Sequence, residues 1–262
     1  MGIPNGNAFI YISVVALQKK FVERVMKKVS IDYLIEHPAE IKFAYQPIIQ
    51  TSDNSIYGYE ALMRPEPYTP MEFITELAKR DQLQIIEEIT NCYATMYFRQ
   101  KGLAGKLFLN TFPATCMRPE WCFKTQQIGG DYMIDRMVYE ILEYTTPDRF
   151  AYTVKRKFID NSGVNALIAI DDFGTGQNID LSYIDFYKPH MIKIDREYIS
   201  NIDTDPTKQE IVQQMCYDMQ QRNVKILAEG IETEGEYNYL KSQPIDYMQG
   251  YYIGKPKLYT EY

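Results

Sequence analysis

From Ile41 onward, short apolar runs alternate with longer segments whose apolar residues recur every three or four positions. The runs read as strands over Lys42–Ile49, Ile56–Leu62, Leu107–Leu109, Met137–Ile141, Ala166–Ile170, Met191–Ile194, Val224–Ala228 and Tyr247–Tyr251. The segments between them carry helix start signals. Thr69-Pro70-Met71-Glu72 combines a capping box with proline at the first helical position. Ile74, Leu77 and Ala78, then Ile85, Ile89, Cys92 and Met96, keep a helical period after it. Asp205-Pro206 opens a helix with Ile211, Val212, Met215 and Met219 on one stripe, and Thr233-Glu234-Gly235-Glu236 is a second capping box. Strands alternating with helices imply a mostly parallel sheet, and about eight of them in ~220 residues predict an α/β fold closed into a TIM-like (β/α)8 barrel. Residues 1–38 form a separate N-terminal extension. In it a strand or helix precedes an amphipathic helix with Leu17, Phe21, Val25 and Met26 on one face, and His37-Pro38 ends it. The barrel domain then covers residues 39–262.

Composition narrows the chemistry. The 262 residues can bury one large core, and 45% hydrophobic with 24% charged residues is an ordinary globular balance. A net charge of -7 argues against tracking long nucleic acid, but not against a small phosphorylated ligand whose charge bound metal offsets. His37 and His190 are the sole histidines, and the four cysteines (Cys92, Cys116, Cys122, Cys216) form no C-x-x-C pair. Two histidines argue against a histidine-rich metal centre and a Ser-His-Asp triad, and reduced thiols are expected. Ala8–Leu17 is half the ~20 residues that span a bilayer and lacks the flanks of a signal peptide, so no membrane span and a cytoplasmic location are expected.

One strand ends unusually. Ala166-Leu167-Ile168-Ala169-Ile170 runs into Asp171-Asp172 and then Phe173-Gly174-Thr175-Gly176. An isolated Asp-Asp pair is most often a self-solvating turn. Here the other strands also end in polar residues: Glu60, Asn110, Glu140, Lys193 with Asp195 two positions on, Glu229 and Gln249. Strand ends of an α/β barrel converge on one mouth, so these side chains form a ring of oxygen ligands with one amine. Carboxylates and a carboxamide without histidine suit magnesium or manganese. There are more carboxylates than one ion needs, and Asp171 or Asp172 could bridge two ions that clamp the attacking and leaving oxygens of an in-line displacement at phosphorus. Lys193 would orient the attacking water or stabilise developing charge.

In order along the chain stand Gln46-Pro47-Ile48, Glu60-Ala61-Leu62 with Arg64, Leu109-Asn110, Glu140-Ile141-Leu142-Glu143 and Asp171-Asp172-Phe173-Gly174-Thr175-Gly176. Lys193-Ile194-Asp195, Ala228-Glu229-Gly230-Ile231-Glu232 and Gln249-Gly250-Tyr251 follow. Over residues 41 to 258 this ordered set resembles the EAL-domain phosphodiesterases, which hydrolyse cyclic di-GMP. The resemblance implies a barrel whose first strand is antiparallel, two magnesium or manganese ions, and opening of cyclic di-GMP to linear pGpG by in-line attack of a metal-activated water; calcium, which prefers more ligands at longer distance, is expected to bind and to inhibit. It implies one ion on Glu60, Asn110, Glu140 and Asp171, and a second on Asp171 and Asp172 with Glu229 and Asp195 near it. Lys193, Glu229 and Glu60 are the implied catalytic residues, and Gln46, Leu62, Arg64 and Gln249 the implied substrate contacts. Glu143 and Glu232 are implied to support loops. A homodimer through the loop and helix after Asp172 is implied as well. That loop departs from the family: Gly176-Gln177-Asn178-Ile179-Asp180-Leu181-Ser182 is one residue longer than the usual Gly-Tyr-Ser-Ser-Leu-Ser. The alternative is a weak or inactive EAL domain that serves as a cyclic di-GMP receptor or protein-binding module; the complete ligand set favours the enzyme. Another metal-dependent barrel hydrolase would leave Gln249-Gly250-Tyr251 and Phe173-Gly174-Thr175-Gly176 unexplained.

Overall fold

The computed structural model describes residues 29–133, 135–141, 149–160, 165–174 and 181–262. A short helix, α1 (Ile31–Glu36), leads into β1 (Lys42–Gln50) and β2 (Ile56–Arg64). Then come α2 (Pro70–Lys79), α3 (Leu83–Ile89), a π-helical turn over Thr90–Ala94 and α4 (Thr95–Gln100). From there strands and helices alternate: β3 (Lys106–Thr111), α5 (Pro119–Gly129), β4 (Met137–Ile141), α6 (Arg149–Asp160), β5 (Leu167–Phe173) and α7 (Leu181–Tyr187). The order continues with β6 (Met191–Ile194), α8 (Arg196–Ile199), α9 (Pro206–Arg222), β7 (Lys225–Ala228), α10 (Glu234–Lys241), β8 (Tyr247–Gln249) and β9 (Lys257–Leu258).

Strands β2 to β8 pair in sequence order and in parallel, while β1 lies antiparallel between β2 and β8 and closes the ring. The eight-strand barrel and its antiparallel first strand are thus as the sequence implies. The short β9 was not legible there. It pairs Ala44 with Leu258 and covers the part of the β1 edge that the three-residue β8 leaves open.

Alternation along the strands builds the interior in layers. Ile48, Phe108, Val138, Ala169, Met191 and Leu227 pack together inside the barrel. Two residues further toward the mouth on the same strands stand Gln46, Asn110, Glu140, Asp171, Lys193 and Glu229. The apolar layer is the floor on which the polar layer rests. A bulge completes the floor: Ile48 pairs with Gly58 but Ile49 with Ile56, which leaves Tyr57 to join the inner cluster, stacked on Tyr247 at 3.9 Å. The outer core forms between strands and helices, where Phe73 and Leu77 of α2, Phe98 of α4 and Val212, Met215 and Met219 of α9 are buried.

The predicted helix starts are present. Thr69 and Thr233 each close a capping box, and the Asp205 carboxylate accepts from the Thr207 and Lys208 N–H groups. The unbroken helical period expected through Cys92 and Met96 is interrupted by the π-helical turn. Its extra residue rotates the following turns so that Thr95 and Phe98 are buried as well as Ile86 and Ile89. Strand β5 runs further than Ile170, through the paired aspartates to Phe173. Ile170 pairs with Ile192 and Phe173 with Ile194, three steps against two, and Asp172 takes the extra step in the left-handed region at φ 51°. On the N-terminal side of residue 38, Ile31 and Leu34 are buried in the outer core and the Tyr68 hydroxyl donates to the Val29 carbonyl at 2.9 Å. The amphipathic segment from Leu17 to Met26, Glu143 and the lengthened loop at residues 177–180 lie outside the described residues.

Candidate active site at the barrel mouth

Lys193 is the centre of the polar layer. Its Nζ lies 2.6 Å from Glu140 Oε1, 2.8 Å from Asp171 Oδ1 and 2.8 Å from Glu229 Oε1, in a side chain only 1% exposed. The reason is positional. Lys193 follows Met191 by two residues on a strand buried on both faces, so its side chain enters the same interior one layer nearer the mouth and its ammonium meets the strand ends there. Opposite, Glu60 is held by two amides. Gln249 Nε2 donates to its Oε2 at 2.8 Å and Asn110 Nδ2 to its Oε1 at 3.3 Å. Asn110 and Glu140 are register partners on β3 and β4, as Gln46 and Glu60 are on β1 and β2.

Charge in this layer is unbalanced. One ammonium faces Glu60, Glu140, Asp171, Asp172 and Glu229. Burial pushes the Glu140 carboxyl well above the usual range, and Glu60, Asp171 and Glu229 push the same way against the pull of Lys193. Burial raises Glu229 too, with Asp171 and Glu60 adding to it against Lys193. For Lys193, burial favours the neutral amine, but Asp171, Glu140, Glu229 and Glu60 outweigh it and hold the ammonium charged. Asp172 is exposed as a residue, yet desolvation of its carboxyl and the nearby Asp171 and Asp195 push it up to about 6.

The donor set fits a hard divalent cation. Glu140 Oε2 is buried without a hydrogen-bond partner, and oxygens of Asp171, Asp172 and Glu229 all lie within 4.8 Å of one another. Asp195 is less free than the sequence suggests. It caps α8, accepting from the Glu197 N–H at 2.7 Å, and also lines the mouth beside Glu229.

A cavity of about 210 Å³ opens over this layer, lined by Gln46, Glu60, Asp195, Glu229 and Gln249 among others. Gln46 Nε2 donates to the Gly254 carbonyl at 3.2 Å, and Arg64 Nη1 to the Met63 carbonyl at 3.0 Å. Leu62 is half-buried, two residues beyond Glu60 on β2. Glu232 pairs with Arg196 at 2.8 Å across the rim.

Sequence reasoning passed over several residues that shape this mouth. Arg196 is its rim cation, and its stem lies so close over Gly230 that a Cβ there would be 2.6 Å from the Arg196 Cβ. Gly250 touches the Ile231 backbone, where a Cβ would approach the carbonyl oxygen to 2.1 Å. Buried Glu236 accepts from the N–H groups of Asn201, Glu232 and Thr233 at 2.8, 2.8 and 3.0 Å and so holds the loop after Glu229. Its capping-box role was legible; its reach to Asn201 required the fold.

Known proteins share this fold and sequence pattern. The family model described as EAL domain matches residues 30–256, and the chain belongs to that family. It is 28% identical over 238 residues to a probable cyclic di-GMP phosphodiesterase, PdeG of Escherichia coli K12, covering 85% of this chain and 46% of that protein. It is also 28% identical over 218 residues to the cyclic di-GMP phosphodiesterase TpdA of Vibrio parahaemolyticus, covering 81% of this chain and 36% of that one. The chain thus spans less than half the length of these curated relatives. Among solved structures, a standalone EAL protein from Vibrio cholerae O395 with c-di-GMP bound superposes with a TM-score of 0.71 at 27% identity, over 84% of this chain and 93% of that chain. The manganese and cyclic di-GMP complex of Klebsiella pneumoniae BlrP1 gives 0.73 at 26% identity, over 84% and 56%.

Proposed function

We propose that the chain hydrolyses cyclic di-GMP to linear pGpG by in-line attack of water on one phosphodiester, using two divalent ions, magnesium or manganese. The observation that carries this reading is the buried Lys193 cluster, in which one ammonium gathers Glu140, Asp171 and Glu229 beside Glu60 and Asn110 at a single mouth. Such a surplus of buried carboxylate is unfavourable by itself and becomes favourable when cations neutralise it.

Glu60, Asn110, Glu140 and Asp171 would hold one ion; Asp171, Asp172 and Glu229, with Asp195 beside them, would hold the other. Bound there, the ions supply Lewis acidity, polarising the phosphodiester and acidifying the attacking water. Glu229, whose carboxyl is raised toward neutrality, is suited to accept that water's proton. Lys193 keeps three carboxylates in register and offsets charge developing at phosphorus. Gln249 and Asn110 orient Glu60, so that its carboxylate is fixed before the ion arrives. Gln46, Leu62 and Arg64 would contact the dinucleotide, Glu232 would steady the rim through Arg196, and Glu143 is assigned to the support of the loop after Asp172.

The remaining assignments are a barrel domain from residue 39 with residues 1–38 as an extension, cytoplasmic residence and a homodimer. Among the described residues no helix is long and apolar enough to cross a membrane. The dimer would form through the segment after Asp172, including α7, where Phe186 is exposed, as are Phe150 and Val154 of α6. The deciding experiment is incubation with cyclic di-GMP and manganese, following linear pGpG by chromatography. Tight binding without product would make the chain a receptor instead.

A further inference from the structure

Behind the mouth lies a second buried charge cluster that the chemistry above does not use. Glu87 and Glu88, consecutive on α3, are 1% and 0% exposed. Glu87 Oε1 accepts from the Phe112 N–H at 2.9 Å, from the Thr111 hydroxyl and from Lys155 Nζ at 2.5 Å. Lys155, itself buried on α6, also donates to the Thr115 carbonyl at 2.9 Å. Glu88 takes the far end of the same segment, accepting from Arg118 through its N–H at 3.0 Å, Nε at 2.9 Å and Nη2 at 2.7 Å.

The segment gripped in this way begins one residue after Asn110. Thr111 is the last residue of β3, so its side chain and the following N–H fix where β3 stops and how the Asn110 carboxamide is presented to Glu60. Lys155 comes from the helix that follows β4, the strand carrying Glu140. The Glu87–Lys155 pair therefore ties together the two chain segments that supply neighbouring members of the mouth.

The attraction between the two charges alone does not account for it. A buried ion pair is often replaceable by apolar residues of like volume without loss, because desolvation offsets its attraction. What apolar residues cannot supply is one acceptor that takes the Thr111 hydroxyl, the Phe112 N–H and the Lys155 ammonium together at the end of β3. We infer that Glu87 and Lys155 form a positioning pair that sets Asn110, and through it the first metal site, for the reaction. The inference deepens the proposed function and rests on it.

The test is the double substitution Glu87→Leu with Lys155→Met, which removes both charges together. Expected are a thermal transition that stays cooperative but is lowered by the Thr111 hydroxyl, Phe112 N–H and Thr115 carbonyl that lose their partners, manganese affinity by calorimetry weakened at least about tenfold, and kcat reduced by a similar factor with KM for cyclic di-GMP little changed. A folded double variant with parental manganese affinity and kcat overturns the inference. If that variant does not fold, Thr111→Val decides in its place: it removes one hydroxyl contact and buries no new charge, and parental manganese affinity in it likewise overturns the inference. A parent that binds manganese but yields no pGpG refutes the proposed activity alone, and the affinity comparison still stands. If the parent binds no manganese, the metal reading itself fails. Hydrogen exchange over residues 107–118 then decides whether the pair holds this segment, with parental exchange rates in the double variant counting against it.

Discussion

At the scale of single residues, the site depends on carboxylates that are poorly accommodated until something positive joins them. Glu60 is oriented by two amides and, among the described residues, pairs with no ammonium, so Glu60→Ala removes a proposed metal ligand while leaving the Lys193 cluster in place. Turnover is expected to fall by more than about a hundredfold with little change in melting temperature, as measured by pGpG release and scanning fluorimetry. Acidity adds a second expectation. Asp172 in the folded chain titrates near 6, above the ~3.9 of an unfolded aspartate, so between these values the folded state binds more protons than the unfolded one. Its contribution to metal-free stability therefore falls as pH rises through that window. Burial gives Glu140 and Glu229 the same sign. Metal competes with these protons, so the rise in melting temperature on saturation with manganese should be larger at about pH 8 than at about pH 5.5. Equal or opposite increments would show that these carboxylates do not take up the ion.

At the scale of elements, the position of each ligand depends on how closely neighbouring strands approach. Gly58 lies two residues before Glu60, and a Cβ there would stand 2.4 Å from the Lys106 carbonyl oxygen on β3. Gly58→Ala should push β2 from β3, destabilising the chain by about 1–3 kcal/mol in urea unfolding and separating Glu60 from Asn110. Manganese affinity should fall with it; an alanine variant of parental stability would mean that the strands can relax around the methyl group. Several elements were legible because their determinants are local. Thr69-Pro70-Met71-Glu72 and Asp205-Pro206 carry their caps within four residues. The turn at Thr90–Ala94, the bulge that turns Tyr57 inward and the extension of β5 to Phe173 were not legible, because each is set by what packs against it.

At the scale of the whole molecule, the barrel brings strand ends from residue 46 to residue 249 to one mouth and backs them with an apolar floor. A mouth of this kind should discriminate between ions by size. Calcium prefers more ligands at longer distances than magnesium or manganese, so it is expected to raise the melting temperature while supporting little hydrolysis. Full-rate pGpG formation with calcium alone would contradict the proposed two-ion site. In the proposed dimer, the exposed Phe186, Phe150 and Val154 would be covered. Light scattering should then give twice the mass of the 262-residue chain, and Phe186→Asp should lower it.

By itself the sequence determined the ring of polar strand ends proposed to hold the ions. Strand alternation has a period of two and barrel strands end at one mouth, so Glu60, Asn110, Glu140, Asp171, Lys193, Glu229 and Gln249 could be gathered from their order alone. Tertiary structure alone decided which of them touch. That Lys193 joins Glu140, Asp171 and Glu229, and that Gln249 and Asn110 share Glu60, depends on register and depth, which no local pattern encodes. The same holds for Glu87, Glu88 and Lys155. In the sequence they are charged residues on helices, and their partners lie 24 to 68 positions away along the chain. Only closure of the barrel, by burying them, turns those charges into fixed points behind the site.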